Sequence, residues 1–253
     1  MRVKKINVQR FKQDPAHCAV AASASYANYF NNDIDYEFTK SVAYNINKEI
    51  AEVGMEDPEI GILLNMLGFR KVDIVCTDLN YLDYSWASLS KANLIEIFEK
   101  ESRRKIWKDS GFNIRFKKFA KFLSSDKYSN NLIIDNNFKE RIKKAIDKGF
   151  PPIITFNWTL FFKFPKYNPW GEPDATEGEH EEHAVLANGY THKGVYIVDS
   201  HHECYKYSLK SYRNGKYFIS WEKLMTIMGM AGTIIIGYDY RKNLMQYELV
   251  QPS

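Results

Sequence analysis

Cysteine is scarce in this chain, long apolar runs are missing, and neither sign of charge dominates. The 253 residues hold three cysteines, Cys18, Cys76 and Cys204. They are odd in number and no two are close, which argues against a disulfide framework and against a CxxC zinc site. No apolar stretch approaches the ~20 residues that cross a bilayer, so no membrane partner is expected. The N-terminus carries Arg2, Lys4 and Lys5 but no apolar signal core. A cytoplasmic protein with reduced thiols is the expectation, and with Cys18 so near the start no N-terminal pro-segment is expected. The net charge is +4, with 25 basic and 20 acidic side chains in residues 1–150 and 10 and 11 in the remainder. Without a Lys/Arg stripe, that split makes no case for nucleic acid. There is no internal repeat, low-complexity segment or nucleotide-binding motif.

What the chain does have is a 45% hydrophobic composition and 15% aromatics. That is enough for a sizeable core in one large domain or in two small lobes. Residues 1–150 read as mostly helical. Small residues run from Ala19 to Ala27, with a stop at Asn31-Asn32-Asp33. Phe38, Val42, Ile46 and Ile50 recur at spacing four over 36–51. Asp57-Pro58 opens a helix that Gly68 closes. Further helices are predicted over 91–107, around Phe112–Leu123, and over 136–148, where Phe138, Ile142, Ala145 and Ile146 share a face. Residues 3–11 read as an edge strand and 71–76 as a strand whose Cys76 is structural. From Pro151 the pattern turns to strands: 151–156, 184–190, 194–199 and 232–240. The turn 191–193 reads as a hairpin, and Ser220 as the cap of a short helix.

The organising stretch is Gln13-Asp14-Pro15-Ala16-His17-Cys18, followed by the small-residue helix. Pro15 starts a turn, which places Cys18 at a helix N-terminus, where free N–H groups and the helix dipole favour thiolate. A buried structural cysteine is the alternative. Far downstream, His183 opens one strand and Asp199 ends the next. If the strands pair, Asp199 can orient the imidazole of His183 as a base for a thiol. Gln13 can offer its amide to an oxyanion beside the Cys18 N–H.

Gln13…Cys18 on its small-residue helix, then HAVLANGY…GVYIVD entered from GFPPII, resembles a papain-like cysteine peptidase. Within that superfamily it is most similar to the branch that processes bacteriocin leaders. The resemblance covers most of the chain. It implies an α+β papain-like fold, with a helical lobe, an antiparallel β lobe and the cleft between them. It also implies Cys18 as nucleophile, His183 as base and acid, Asp199 as orienter and Gln13 as oxyanion donor, with no cofactor. The chain departs from the family in four places, one being enlarged segments over 77–131 and 161–182. Ala19 follows the cysteine where many members have Gly, the gap from Gln13 to Cys18 is one residue short, and Ser200 follows Asp199 where Asp-Pro is common in that branch.

Other groups are weighed separately. His17 is read as a cleft-wall residue and Cys204 as an ordinary thiol. His180, His183, His201, His202 and Cys204 offer zinc-ligand chemistry, but His180 and His183 are three apart, and the metalloprotease helix needs four. Glu172, Asp174, Glu177, Glu179, Glu181 and Glu182 precede His183 with no intervening Lys or Arg. They would raise its pKa and attract a basic segment of substrate, or else simply be solvated. Trp158, Phe161, Phe162 and Trp170 line a subsite or anchor this loop. The reading is one papain-like catalytic domain over 1–253, hydrolysing an amide bond of a peptide or protein substrate. An acyl or peptidyl transferase on the same triad and an inactive peptide-binding module are the alternatives.

Overall fold

A computed structural model describes residues 4–108, 111–163, 165–166, 172–201, 215–229 and 232–242. Predicted features at Trp170, His202 and Cys204 lie outside these residues. The class is α+β, as expected. The helices are α1 (Cys18–Phe30), α2 (Tyr36–Ile46), α3 (Ile50–Val53), α4 (Asp57–Met66), α5 (Lys91–Glu101), α6 (Phe112–Leu123), α7 (Phe138–Asp147), α8 (Trp158–Phe162) and α9 (Trp221–Met228). The strands are β1 (Lys4–Lys5), β2 (Phe69–Cys76), β3 (Asn131–Ile134), β4 (Ile153–Asn157), β5 (Glu182–Tyr190), β6 (Gly194–Val198), β7 (Lys216–Ser220) and β8 (Thr233–Tyr240). They form one sheet in the order β3-β2-β8-β4-β5-β6-β7, with β1 on β5. Among the described residues only the β2–β3 pairing is parallel.

Local chemistry accounts for most boundaries. Asp35 and Ser220 cap α2 and α9 by accepting the N–H of Phe38 and Lys223. Glu56 and Glu59 form a capping box at α4, with Pro58 in its first turn. The face of α7 predicted from Phe138, Ile142, Ala145 and Ile146 is the buried one. In β8, Ile234, Ile235 and Ile236 are all buried, so both faces of the sheet are covered here.

Several boundaries differ from the sequence expectation. The helix expected over 36–51 breaks at Asn47, and Gly54, in the left-handed region at φ 71°, ends the short α3. The helix expected to reach Trp107 stops at Glu101, and a 3-10 turn follows over Lys105–Trp107. Of the edge strand expected over 3–11, Lys4 and Lys5 pair with β5, the Ile6 N–H donates to Asn188 O, and Arg10 reaches the loop after β6. Strands β3 and β7 were not foreseen. Each is four or five residues long, too short for alternation to register, and each is fixed by its partner strand. The helical and β halves are also less separate than expected, because β2 and β3 join the same sheet as β4–β8.

Candidate active site

The turn before α1 is built to deliver Cys18. His17 N–H donates to Asp14 O at 3.1 Å, and Ala16 takes a left-handed φ of 60°. Asp14 is tied to α2 through the Tyr36 hydroxyl, 3.0 Å from its N–H, and through an ion pair with Lys40. His17 is buried, its ring held between Pro15 O (2.5 Å) and the Tyr44 hydroxyl (3.1 Å), so it forms a wall of the turn. Behind it, Ala19, Val20, Ala21, Ala22 and Ala24 are all buried. Small side chains let the helix backbone sit close to β5, which leaves Cys18 partly exposed at the helix start.

His183 is the second residue of β5, opposite Phe156 of β4. Pairing of Leu186 with Val198 brings the start of β5 beside the end of β6, where Asp199 follows. His183 Nε2 donates to Asp199 Oδ1 at 2.8 Å, and both side chains are buried. The same Oδ1 accepts the His201 N–H at 2.8 Å, and Oδ2 accepts the Tyr217 hydroxyl at 2.8 Å. Because Nε2 is committed to Asp199, Nδ1 is the ring nitrogen left for the Cys18 thiol, whose pKa the imidazole lowers. The indole of Trp158 stacks on the imidazole, centroids 4.6 Å apart and planes at 18°.

These contacts set the protonation states. Burial pushes the Cys18 thiol up, but the hydrogen bond and charge of His183 and the N–H groups of Ala184 and Ala19 outweigh it, so its pKa is lowered. Burial acts against the His183 cation, yet the charge of Asp199 and the hydrogen bonds to Asp199 and Cys18 raise its pKa to about 10. Asp199 is raised by burial, but the His183 charge and the donors around the carboxylate hold it below its ordinary value. Thiolate and imidazolium are therefore the favoured pair.

Gln13 meets the turn that follows Asp199. Its Oε1 accepts the Ser200 hydroxyl at 2.6 Å and its N–H donates to Ser200 O at 3.3 Å. With Oε1 occupied, the amide NH2 remains as a donor. Ser200, the residue where this chain departs from the Asp-Pro pattern, supplies a donor that proline lacks. Arg10 holds the same turn by donating to the carbonyls of Asp199 (2.5 Å), Ser200 (3.1 Å) and His201 (3.3 Å).

The structure places His183 against Asp199, and Gln13 against Ser200 in the turn that follows Asp199. Arg10, Ser200 and Tyr217 were not anticipated. Arg10 contacts residues about 190 positions away in sequence, a distance no local pattern encodes. Trp158 was singled out, but not as the cover of His183. Cys76 is buried and free, and burial raises its thiol to about 12, consistent with a structural role.

The Peptidase_C39 like family model matches residues 5–227. The chain belongs to the Peptidase_C39 like family. It is therefore a cysteine peptidase-like hydrolase, and the papain-like relationship read from the Cys18 and His183 segments holds. A comparison with curated proteins found no match. Among solved structures, a proposed C39-like peptidase from Bacillus anthracis aligns with TM-score 0.41 and 13% identity, over 95% of this chain and 100% of that one. Xylellain, a cysteine protease from Xylella fastidiosa, aligns with TM-score 0.46 and 13% identity, over 95% and 87%. Both likenesses are loose, and the family assignment of this C39-like chain stands on the sequence match. No helix among its described residues is long and apolar enough to cross a membrane.

Proposed function

We propose that this C39-like chain, acting as one catalytic domain, hydrolyses a peptide bond through an acyl-enzyme on Cys18. The reading is carried by the His183–Asp199 hydrogen bond, which occupies Nε2 of the imidazole and leaves Nδ1 for the Cys18 thiol. The Cys18 thiolate attacks the substrate carbonyl. The Gln13 amide and the Cys18 N–H, at the start of α1, receive the oxyanion. His183 gives its proton to the leaving amine, then takes one from the water that opens the thioester. Asp199 stays ionised and compensates the imidazolium. Trp158 keeps water off the His183–Asp199 bond, which strengthens it in a drier surrounding. Thiolate chemistry requires a reduced cysteine, so we place the protein in the cytoplasm.

Mass spectrometry of the protein quenched during turnover of peptide esters tests this directly. An acyl adduct on the peptide containing Cys18 is expected, absent in Cys18→Ala and strongly reduced in His183→Ala. Turnover without such an adduct at any time would sink the mechanism. Diversion of product to an added amine acceptor, at the expense of the free acid, would show a transferase on the same residues.

A further inference from the structure

Resting on the peptidase reading, we propose that a row of side chains leading from Cys18 to Asp57 and Glu182 is a specificity site for a basic side chain of the substrate, close to the scissile bond. The row is set by strand register. Ala184 on β5 faces Thr155 on β4, Thr155 faces Thr233 on β8, and Thr233 faces Cys76 on β2. Directly opposed residues on antiparallel strands share a face, so these four side chains point to the same side of the sheet. Glu182, two residues before Ala184, points there too. The row starts beside the nucleophile's helix, because α1 packs on β5 and Ala184 follows His183 in that strand. It ends at acid, because the Thr233 hydroxyl donates to Asp57 Oδ2 at 2.6 Å. Two strand spacings separate Ala184 from Thr233, roughly 10 Å, a span suited to a lysine or arginine stem with its charge at the far end.

The charges are unbalanced around Asp57 at the far end and Glu182 at the near one. Arg115 sits 3.5 Å from Glu56 and 3.7 Å from Asp78, and Lys118 sits 3.4 Å from Glu56 and 3.0 Å from Glu59. These two cations are thus occupied by Glu56, Glu59 and Asp78. Among the described residues Asp57 and Glu182 form no ion pair with Lys or Arg, and Arg115 reaches them only through its charge. Asp57 has the Thr233 hydroxyl, and Glu182 has only His180 Nε2 at 3.9 Å. A second observation points to a missing ligand: Thr155 is 4% exposed, and its Oγ1, midway along the row, has no hydrogen-bond partner. Buried hydroxyls are ordinarily paired. A guanidinium or ammonium lying along the row would offer its donors to Thr155 and to both carboxylates. Glu182 remains 35% exposed at the mouth, so the charge can enter from the Cys18 side.

The test uses Cys18→Ala protein and a positional set of fluorescent tetrapeptide amides carrying either arginine or its neutral isostere citrulline. At one position arginine should bind at least tenfold tighter. Glu182→Gln and Asp57→Asn should each remove most of that preference, Thr155→Val should weaken it, and Glu182→Lys should reverse it. Circular dichroism melts report whether each variant is folded. Equal affinity at every position, or a preference unmoved by the exposed Glu182→Gln change, overturns the proposal. Hydrolysis of the same peptides by the unmodified protein runs in parallel. Arginine-selective binding without cleavage keeps this site and removes the peptidase reading, whereas cleavage without selectivity removes this site alone.

Discussion

Arg10 Nε donates to the carbonyl of Asp199 at 2.5 Å, tying the extended N-terminal segment to the turn that carries the orienting carboxylate. Gln13, three residues on, meets Ser200 in the same turn. The segments that carry Gln13 and Asp199 are thus one bonded unit. Arg10→Ala should therefore disturb the site as well as the fold. Charge-assisted hydrogen bonds of this kind are worth about 1.5–3 kcal/mol. Urea unfolding should show a loss of that order, and reaction of Cys18 with iodoacetamide at pH 6.5 should slow. Arg10→Lys should recover stability better than reactivity, since an ammonium cannot match the fork that spans three carbonyls. Full reactivity in a destabilised Arg10→Ala would reduce Arg10 to a structural role.

The Cys18–His183 pair sets a pH window. The thiolate is lost as pH falls through the lowered Cys18 value, and the imidazolium is lost as pH rises through the His183 value of about 10. Activity against pH should be a bell between those limits. A free thiol with pKa ~8.5 is only about 1% thiolate at pH 6.5. Alkylation of Cys18 at that pH should therefore fall by one to two orders of magnitude in His183→Ala. An unchanged rate would mean that no ion pair forms.

Asp57 and Glu182 make stability depend on pH in the opposite sense from ordinary surface acids. Burial first, with neighbouring acids adding to it and Arg115 opposing, raises Asp57 to about 6 and Glu182 to about 7. Between pH 4 and 7 the unfolded chain releases these protons before the folded one, so stability falls as pH rises through that interval. Thermal melts should show this slope, and Asp57→Asn should flatten its lower part. A slope unchanged in that variant would assign it to other groups.

Trp158 covers the imidazole it stacks on. Trp158→Ala should admit water to the His183–Asp199 bond and lower kcat about 10- to 100-fold, with Trp158→Phe intermediate, as expected when a preorganised site is wetted. An effect confined to KM would instead make Trp158 a substrate contact.

Ala16 is held at φ 60°, a conformation that costs an L-residue about 1–2 kcal/mol and a glycine almost nothing. Ala16→Gly should raise the melting temperature slightly, the gain being reduced by the greater freedom of glycine in the unfolded chain. A loss of stability would show that the Ala16 methyl makes contacts outweighing the strain.

Much of this molecule was legible in its sequence. The extent of α1, the α4 start at Asp57-Pro58, the buried face of α7 and the β5–β6 hairpin follow from caps, spacing and turn residues, which act over a few positions. Cys18, His183, Asp199 and Gln13 were legible because their neighbourhoods are distinctive: a cysteine at the head of a small-residue helix, and a histidine and an aspartate at the ends of consecutive strands. What tertiary structure alone decided is how these pieces meet. Arg10 on the 199–201 carbonyls, Ser200 on Gln13, Tyr217 on Asp199 and Trp158 over His183 all depend on segments brought together by the sheet. The same holds for β3 and β7, and for the row from Ala184 to Asp57, which exists only through the register of β5, β4, β8 and β2. Local propensity acts within a helical turn or a strand. Strand order and register are set by burial of whole faces, and that is a property of the assembled chain.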